Sequence, residues 1–222
     1  MILVELRLKM KLAFIGIGQV GGTLAKKLGK QGHSIYLGSR DLKSFDAIEL
    51  AKSIGAHASV HSLSEAVQNA DIIFLATPWS AAKAVVASLS QELRDKIVID
   101  CTNPLKANFE GLDSIDGLSG AEQLQKLIPG SHVVKAFNST GYNIMAQPMI
   151  ENRKAIMYYC GDDIDSKHLV RTLVEDVGFE AADGGPLTTA RLLEPFALLW
   201  ISSAYKFGFG RDFAFSIIRQ KN

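Results

Sequence analysis

Lys11-Leu-Ala-Phe-Ile-Gly-Ile-Gly-Gln-Val-Gly-Gly-Thr-Leu-Ala-Lys-Lys-Leu28 decides the fold. Leu12 to Ile15 is an unbroken apolar run, the pattern of a parallel strand covered on both faces. Gly16-x-Gly18-x-x-Gly21 then turns the chain into Thr23 to Leu28, which has helical composition. Each glycine has its own reason. The first permits the tight turn, the second lets a pyrophosphate reach bare backbone, and the third packs helix on strand. Gly16, Ile17, Gly18, Gln19, Val20 and Gly21 are therefore expected to cradle the diphosphate of a dinucleotide. They do so at a helix N-terminus, where N–H groups and the helix dipole favour negative charge.

Ser34 to Gly38 reads as the second strand, and Ser39-Arg40 follows it. Folds that select NAD place an acid here to hold the ribose 2′-hydroxyl. Guanidinium instead pairs with a 2′-phosphate and stacks on adenine. Ser39 and Arg40, with Lys43 one helical turn on, thus point to NADP. Asp41 is expected to cap a helix from Leu42 to Ile54 and so to point away.

Further apolar strands alternate with helical segments. Ala58 to Val60, Asp71 to Ala76, Lys96 to Cys101, His132 to Asn138, Lys154 to Cys160 and Gly178 to Ala182 are strands. This alternation predicts an α/β fold, a Rossmann-type doubly wound parallel sheet. In such sheets ligands lie at the carboxyl ends of the strands, where Thr77-Pro78 and Asn103-Pro104 stand. Lys106 to Gly120 lacks periodicity and reads as a flap or a long surface loop. The boundaries expected are 10–147 for the NADP-binding domain and 148–222 for a small C-terminal α/β lobe. That lobe ends in a long helix, Pro186 to Lys206, apolar nearly all round from Leu192 to Ile201. So much apolar surface, with Trp200 in it, is expected to be covered by a second copy, making a homodimer.

Composition narrows the rest. The 222 residues are 47% hydrophobic and 21% charged with a net charge of +1, which leaves no electrostatic footprint for nucleic acid or a membrane surface. Two cysteines without CxxC spacing suit a reducing cytoplasm. No apolar run reaches the ~18 residues that span a bilayer. Met1 to Lys9 is too short and polar for a signal peptide and reads as a peripheral arm. His57 and His61 stand outside any metal-binding motif, and no GxSxG elbow is present. No residue is a compelling general acid or base, so no catalytic side chain and no metal ligand are assigned.

Taken together, the Gly16/Gly18/Gly21 turn, Gly38-Ser39-Arg40, Thr77-Pro78-Trp79, Cys160-Gly161-Asp162-Asp163, Gly185-Pro186-Leu187 and Ala190-Arg191-Leu192-Leu193-Glu194 resemble the NADP-dependent deazaflavin (coenzyme F-420) oxidoreductases. The likeness runs from Lys11 nearly to the end, and its C-terminal motifs are the specific part. Asp100 to Pro104 and Val133 to Asn138 are also similar to the cytosolic domain of six-transmembrane ferric reductases, which pass hydride to a flavin. The resemblance implies NADP on the glycine turn, its 2′-phosphate on Ser39 and Arg40, and its nicotinamide near Thr77, Pro78, Asn103, Ala136 and Phe137. The archaeal enzymes carry a lysine a few residues after that arginine, and Lys43 stands one position nearer. The second ring, deazaflavin or flavin, is then expected below the Gly185-Pro186-Leu187 turn.

The function expected is therefore hydride transfer between NADP(H) and a deazaflavin or flavin, with a small-molecule redox cofactor as substrate. Two alternatives stay open. A small imino- or hydroxy-acid reductase needs an acid or base, for which Lys135 is the candidate. A non-catalytic NADP(H) sensor needs none.

Overall fold

The computed structural model describes residues 8–113 and 116–220; most of the N-terminal arm, residues 1–7, lies outside them. The chain runs β1 (Lys11–Ile15), α1 (Gln19–Lys30), β2 (Ser34–Gly38), α2 (Phe45–Ile54), β3 (Ala58–His61), α3 (Leu63–Asn69), β4 (Ile72–Leu75), α4 (Trp79–Ser88) and β5 (Ile97–Asp100). After a 3-10 turn at Ala107–Phe109 come α5 (Gly120–Leu127), β6 (His132–Lys135), α6 (Tyr142–Ala146) and a small hairpin, β7 (Met149–Ile150) with β8 (Arg153–Lys154). The chain continues through β9 (Ile156–Gly161), α7 (Ile164–Val177), β10 (Glu180–Asp183), a 3-10 turn at Leu187–Thr189 and α8 (Ala190–Tyr205).

Eight strands form one sheet in the order β10-β9-β6-β5-β4-β1-β2-β3. From β3 to β6 every pairing is parallel, while β9 meets β6 antiparallel and β10 runs parallel to β9. The C-terminal strands thus extend the nucleotide-type sheet. Because β9 is antiparallel, with Gly161 opposite Val134 and Cys160 opposite Lys135, its N-terminal half projects beyond the carboxyl end of β6. That projection brings Ile156 and Tyr158 to the same edge of the sheet as the loops after β1, β4 and β5.

Strand alternation divides the apolar residues between two cores. Leu12, Phe14, Phe74, Ile99 and Val134 face α1 and α7, with Phe14 stacked on Phe74 at 4.5 Å between centroids. Ala13, Ile15, Ile73, Val98 and Val133 face α4 and α5. Several expected boundaries shift. α2 starts at Phe45, because Ser44 caps it by accepting from the Ala47 N–H. Asp41 instead tightens the preceding turn by accepting from the Lys43 N–H at 2.9 Å. α4 ends at Ser88, about a turn early, and the expected last helix begins as a separate 3-10 turn.

The C-terminal helix is held by charge as well as by apolar packing. Lys135, at the end of β6, is fully buried, and its Nζ donates to Asp100 Oδ2 at 2.8 Å and to the Thr102 carbonyl at 2.6 Å. The same ammonium lies 3.0 Å from Glu194 Oε1 of α8. Glu194 also accepts from the Gly120 and Ala121 N–H groups at the start of α5. One turn earlier, Arg191 forms two hydrogen bonds to Glu122 of α5. The inward face of α8 therefore carries Glu194 and Ser203 beside Leu193, Ala197 and Trp200, so the helix is not apolar all round. Trp200, expected in an interface between copies, is 3% exposed. It stacks on Phe213 of its own chain and donates Nε1–H to the Phe213 carbonyl. The tail after α8 folds back over the helix to make that contact.

The Arg191 hydrogen bonds, then those of Ser119, hold the Glu122 carboxyl down at about 2. A carboxyl lower in the folded chain than its unfolded value of about 4.3 adds stability that is complete above that value and is lost as pH falls toward 2. Arg191→Ala is expected to destabilise the protein modestly near neutrality, because solvent screens the exposed guanidinium. Urea unfolding of both proteins in steps toward acid checks this. The gap between them should close as Glu122 protonates, and a gap that persists unchanged contradicts the pairing.

Candidate nucleotide and acceptor site

The glycine turn follows β1 at the carboxyl edge of the sheet. Gly16 has φ +102°, and a Cβ there would lie 2.5 Å from the Ala76 carbonyl carbon. A Cβ on Gly21 would collide with the Gly16 carbonyl oxygen, so the start of α1 packs directly on the turn. Gly18 is different: a Cβ there meets nothing within 4 Å. It is the N-cap of α1 and has no side-chain cap, so the first N–H groups of the helix remain without side-chain acceptors. Bare, exposed backbone at an uncapped helix start is what a diphosphate requires. Ile17, Gln19 and Val20 complete the rim, with Gln19 exposed.

Beside it, the β2 end carries Ser39, Arg40 and Lys43. The Ser39 N–H donates to the His61 carbonyl at 2.9 Å, tying the loop to the end of β3. The Ser39 hydroxyl donates to the Asp41 carbonyl at 2.7 Å. Arg40 and Lys43 are exposed and have no ion-pair partner among the described residues. Two cations in the open, with the Asp41 carboxylate between them taken up by the Lys43 N–H, match the charge of a 2′-phosphate.

Three unpartnered oxygens lie along the same edge. Thr77 Oγ1 follows β4, and Asn138 Oδ1 and Thr140 Oγ1 follow β6; all are buried without a hydrogen-bond partner among the described residues. Buried polar atoms seldom remain so, and a ribose with a carboxamide would supply the missing partners. Asn103, after β5, is committed to structure. Its Nδ2 donates to the Asn138 carbonyl at 2.8 Å, and its Oδ1 accepts from Asn138 Nδ2 at 3.1 Å. Pro78 is exposed and forms the N-cap of α4. Ala136 and Phe137 are 0% and 1% exposed. The Phe137 ring packs between Phe74 and Phe179 in the core, at a backbone φ of +57°. These two side chains therefore do not line an open slot, and only their backbone reaches the edge.

Lys135, the one acid–base candidate, is ruled out by its geometry. Burial alone would depress it, but the Asp100 and Glu194 carboxylates outweigh burial and hold the ammonium above the ordinary lysine range. Its three protons have three acceptors, and none is available to a substrate. Nearby, burial pushes the Cys160 thiol up to about 12, so it is an apolar filler.

Next to these strand ends lies an apolar cleft of about 580 Å³ between β9, α8 and the tail. Tyr158, Leu192, Leu193, Phe196 and Phe215 line it, with Gly184 and Thr189 from the turn around Gly185-Pro186-Leu187. Tyr158 meets Phe196 edge-on at 6.2 Å, and Phe196 packs on Phe215 at 4.6 Å. The Leu193 carbonyl accepts from Asn138 Nδ2, which joins the cleft wall to the loop after β6. The turn above is fixed by the Leu187 N–H donating to Asp162 Oδ1 at 2.8 Å. Sequence reasoning missed Asn138, Thr140 and Tyr158. The antiparallel register of β9 has no local signature, and Tyr158 reads as core from its neighbours.

The profile of the family described as NADP oxidoreductase coenzyme F420-dependent matches residues 11–104. F420-dependent NADP reductase of Methanothermobacter marburgensis is 30% identical over 210 residues, covering 87% of this chain and 92% of that protein. Metalloreductase STEAP3 of Rattus norvegicus is 32% identical over 194 residues, covering 87% of this chain and 37% of that protein, so the chain spans well under half of that relative. Among solved structures, a proposed F420-dependent NADP reductase from Arthrobacter sp. FB24 aligns with a TM-score of 0.84 at 28% identity, over 95% of this chain and 100% of that one. An imine reductase from Myxococcus stipitatus shares the fold, with a TM-score of 0.67 at 18% identity over 90% of this chain and 63% of that one. The archaeal likeness extends well past the glycine turn into the C-terminal segment, and the chain belongs to the F420-dependent NADP oxidoreductase family of NADP-dependent oxidoreductases.

Proposed function

We propose that this protein transfers hydride between NADP(H) and a deazaflavin such as coenzyme F420, with flavins as a second acceptor class. The observation that carries this reading is the apolar cleft beside the strand ends, whose walls, among the described residues, hold no carboxylate, lysine, histidine or cysteine and a single phenol, Tyr158, packed against Phe196. A flat ring needs such a slot, whereas an imine or keto acid needs a proton donor at its side. Bound NADPH supplies the hydride, and solvent supplies the proton that completes reduction of the ring. The chain's own part is placement. Gly16 to Gly21 receive the diphosphate, Ser39, Arg40 and Lys43 the 2′-phosphate, and Thr77, Asn138 and Thr140 the nicotinamide end. Residues 10–147 thereby hold the nucleotide, and 148–222 provide the acceptor wall.

Two further parts of the reading rest on exposure and burial. Leu199 is 50% exposed on an outward stripe of α8 that does not line the cleft. We place a second copy of the chain over that stripe. The buried free thiols of Cys101 and Cys160 suit a reducing cytoplasm, and no helix among the described residues is long and apolar enough to cross a membrane.

Arg40→Ala is expected to weaken NADPH about ten- to a hundredfold, the scale of a lost charge-assisted contact, and to leave NADH nearly unchanged. Fluorescence titration of both nucleotides against both proteins measures it; equal weakening of the two would refute the 2′-phosphate site. For assembly, light scattering at micromolar protein should give twice the monomer mass, falling to the monomer in Leu199→Glu. A wild-type monomer would remove the second copy from the account.

A further inference from the structure

A polar hollow adjoins the apolar cleft. Ser216 and Ile217 of the tail border both, so the two spaces are neighbours. The hollow measures about 300 Å³ and carries Arg153, Lys154 and Arg219 against a single carboxylate, Glu180. Glu180 is already taken, since Arg219 donates to it and forms an ion pair. Arg153 and Lys154 are exposed and have no ion-pair partner among the described residues. Glu151 and Asp212 lie in the next hollow along, which Arg153 and Lys154 also border. The hollow beside the apolar cleft therefore has an excess of positive charge.

The strand register explains why the cations stand where they do. β9 projects past β6, and Arg153–Lys154 precede it in the chain, so they lie farther out from the sheet edge than Tyr158. At about 3.3 Å per residue, Tyr158 and Lys154 are separated by roughly 13 Å of extended backbone. An occupant that fills the cleft and reaches these cations must be flat and apolar at one end and anionic at the other.

We propose that the acceptor is recognised in two parts: its ring in the cleft, and a phosphate- or carboxylate-bearing tail by Arg153 and Lys154. These two residues then select tailed acceptors over neutral rings. The inference rests on the hydride-transfer reading above and adds the class of acceptor to it. Both cations are solvent-exposed, so the preference is salt-dependent.

The test uses matched pairs that share a ring and differ in the tail: coenzyme F420 against its uncharged riboflavin-level core, and FMN against riboflavin. Affinity is read by ligand fluorescence at low salt, and NADPH oxidation is followed anaerobically with each acceptor. Wild type should bind the tailed member of a pair about tenfold more tightly than the neutral one. In Arg153→Ala/Lys154→Ala that ratio should fall to about one, through loss of the tailed ligand alone, with a parallel rise in its KM. Raising the salt should erase the preference in wild type. Equal affinity for both members in wild type, or a ratio that survives the double substitution, overturns the two-part recognition and leaves the hydride-transfer reading intact. If no ring binds or is reduced, both fall.

Discussion

One buried ammonium organises the working edge of this protein. Lys135 joins the end of β5 through Asp100 and Thr102, and joins α8 through Glu194. Glu194 in turn caps the start of α5. Two carboxylates around one ammonium leave a net negative charge in a space closed to water. Both Glu194 oxygens are offset by N–H groups at a helix N-terminus, where the dipole favours an anion. Asp100 is satisfied by the Thr102 N–H and hydroxyl at 2.9 and 2.7 Å. A buried ion pair adds little net stability relative to an apolar core, but removing one partner costs about 3–5 kcal/mol. The triad therefore acts as a specificity device, fixing how α8 docks against the strand ends.

The docking matters because the two halves of the site belong to different segments. The glycine turn and the Arg40 loop come from the first parallel strands, while the cleft lies between β9, α8 and the tail. The triad and the Asn103–Asn138 amide pair bridge them at the level of the strand ends. A reaction that needs two rings held face to face gains its rate from such placement, since aligned reactants avoid most of the entropic barrier. The same triad takes up Lys135, whose three protons all go to structural acceptors.

How much of this is legible in the sequence follows the range of the interactions involved. β1, the glycine turn after it and the end of β2 at Gly38 are local, and they stand where spacing and residue type put them. The Ser62 and Ser119 capping boxes are also local, written as Ser-x-x-Glu. The misreadings concern contacts made over long sequence distances. Asp41 and Ser44 are both plausible caps, and only the path of the loop chooses Ser44. Phe137 follows a strand whose carboxyl end is the expected ligand edge, yet its left-handed backbone turns the ring into the core. Trp200 reads as interface from its helix, yet its own tail, through Phe213, covers that side chain. Glu194 interrupts that helix as the residue that must find Lys135, and no pattern within 10 or 20 residues announces the pair.

The proposed hydride transfer between two rings depends on placement alone, without a side-chain acid or base. The most direct measurement is an anaerobic single turnover of NADPH, deuterated at the transferring position, with coenzyme F420. It should be run for wild type and for Tyr158→Phe, which removes the one titratable group lining the cleft. The account predicts one NADPH oxidised per ring reduced, deuterium retained on the carbon of the reduced deazaflavin, and a rate that Tyr158→Phe changes by no more than about threefold. Binding of NADPH without reduction of the ring, or loss of transfer by about a hundredfold or more in Tyr158→Phe, would contradict it.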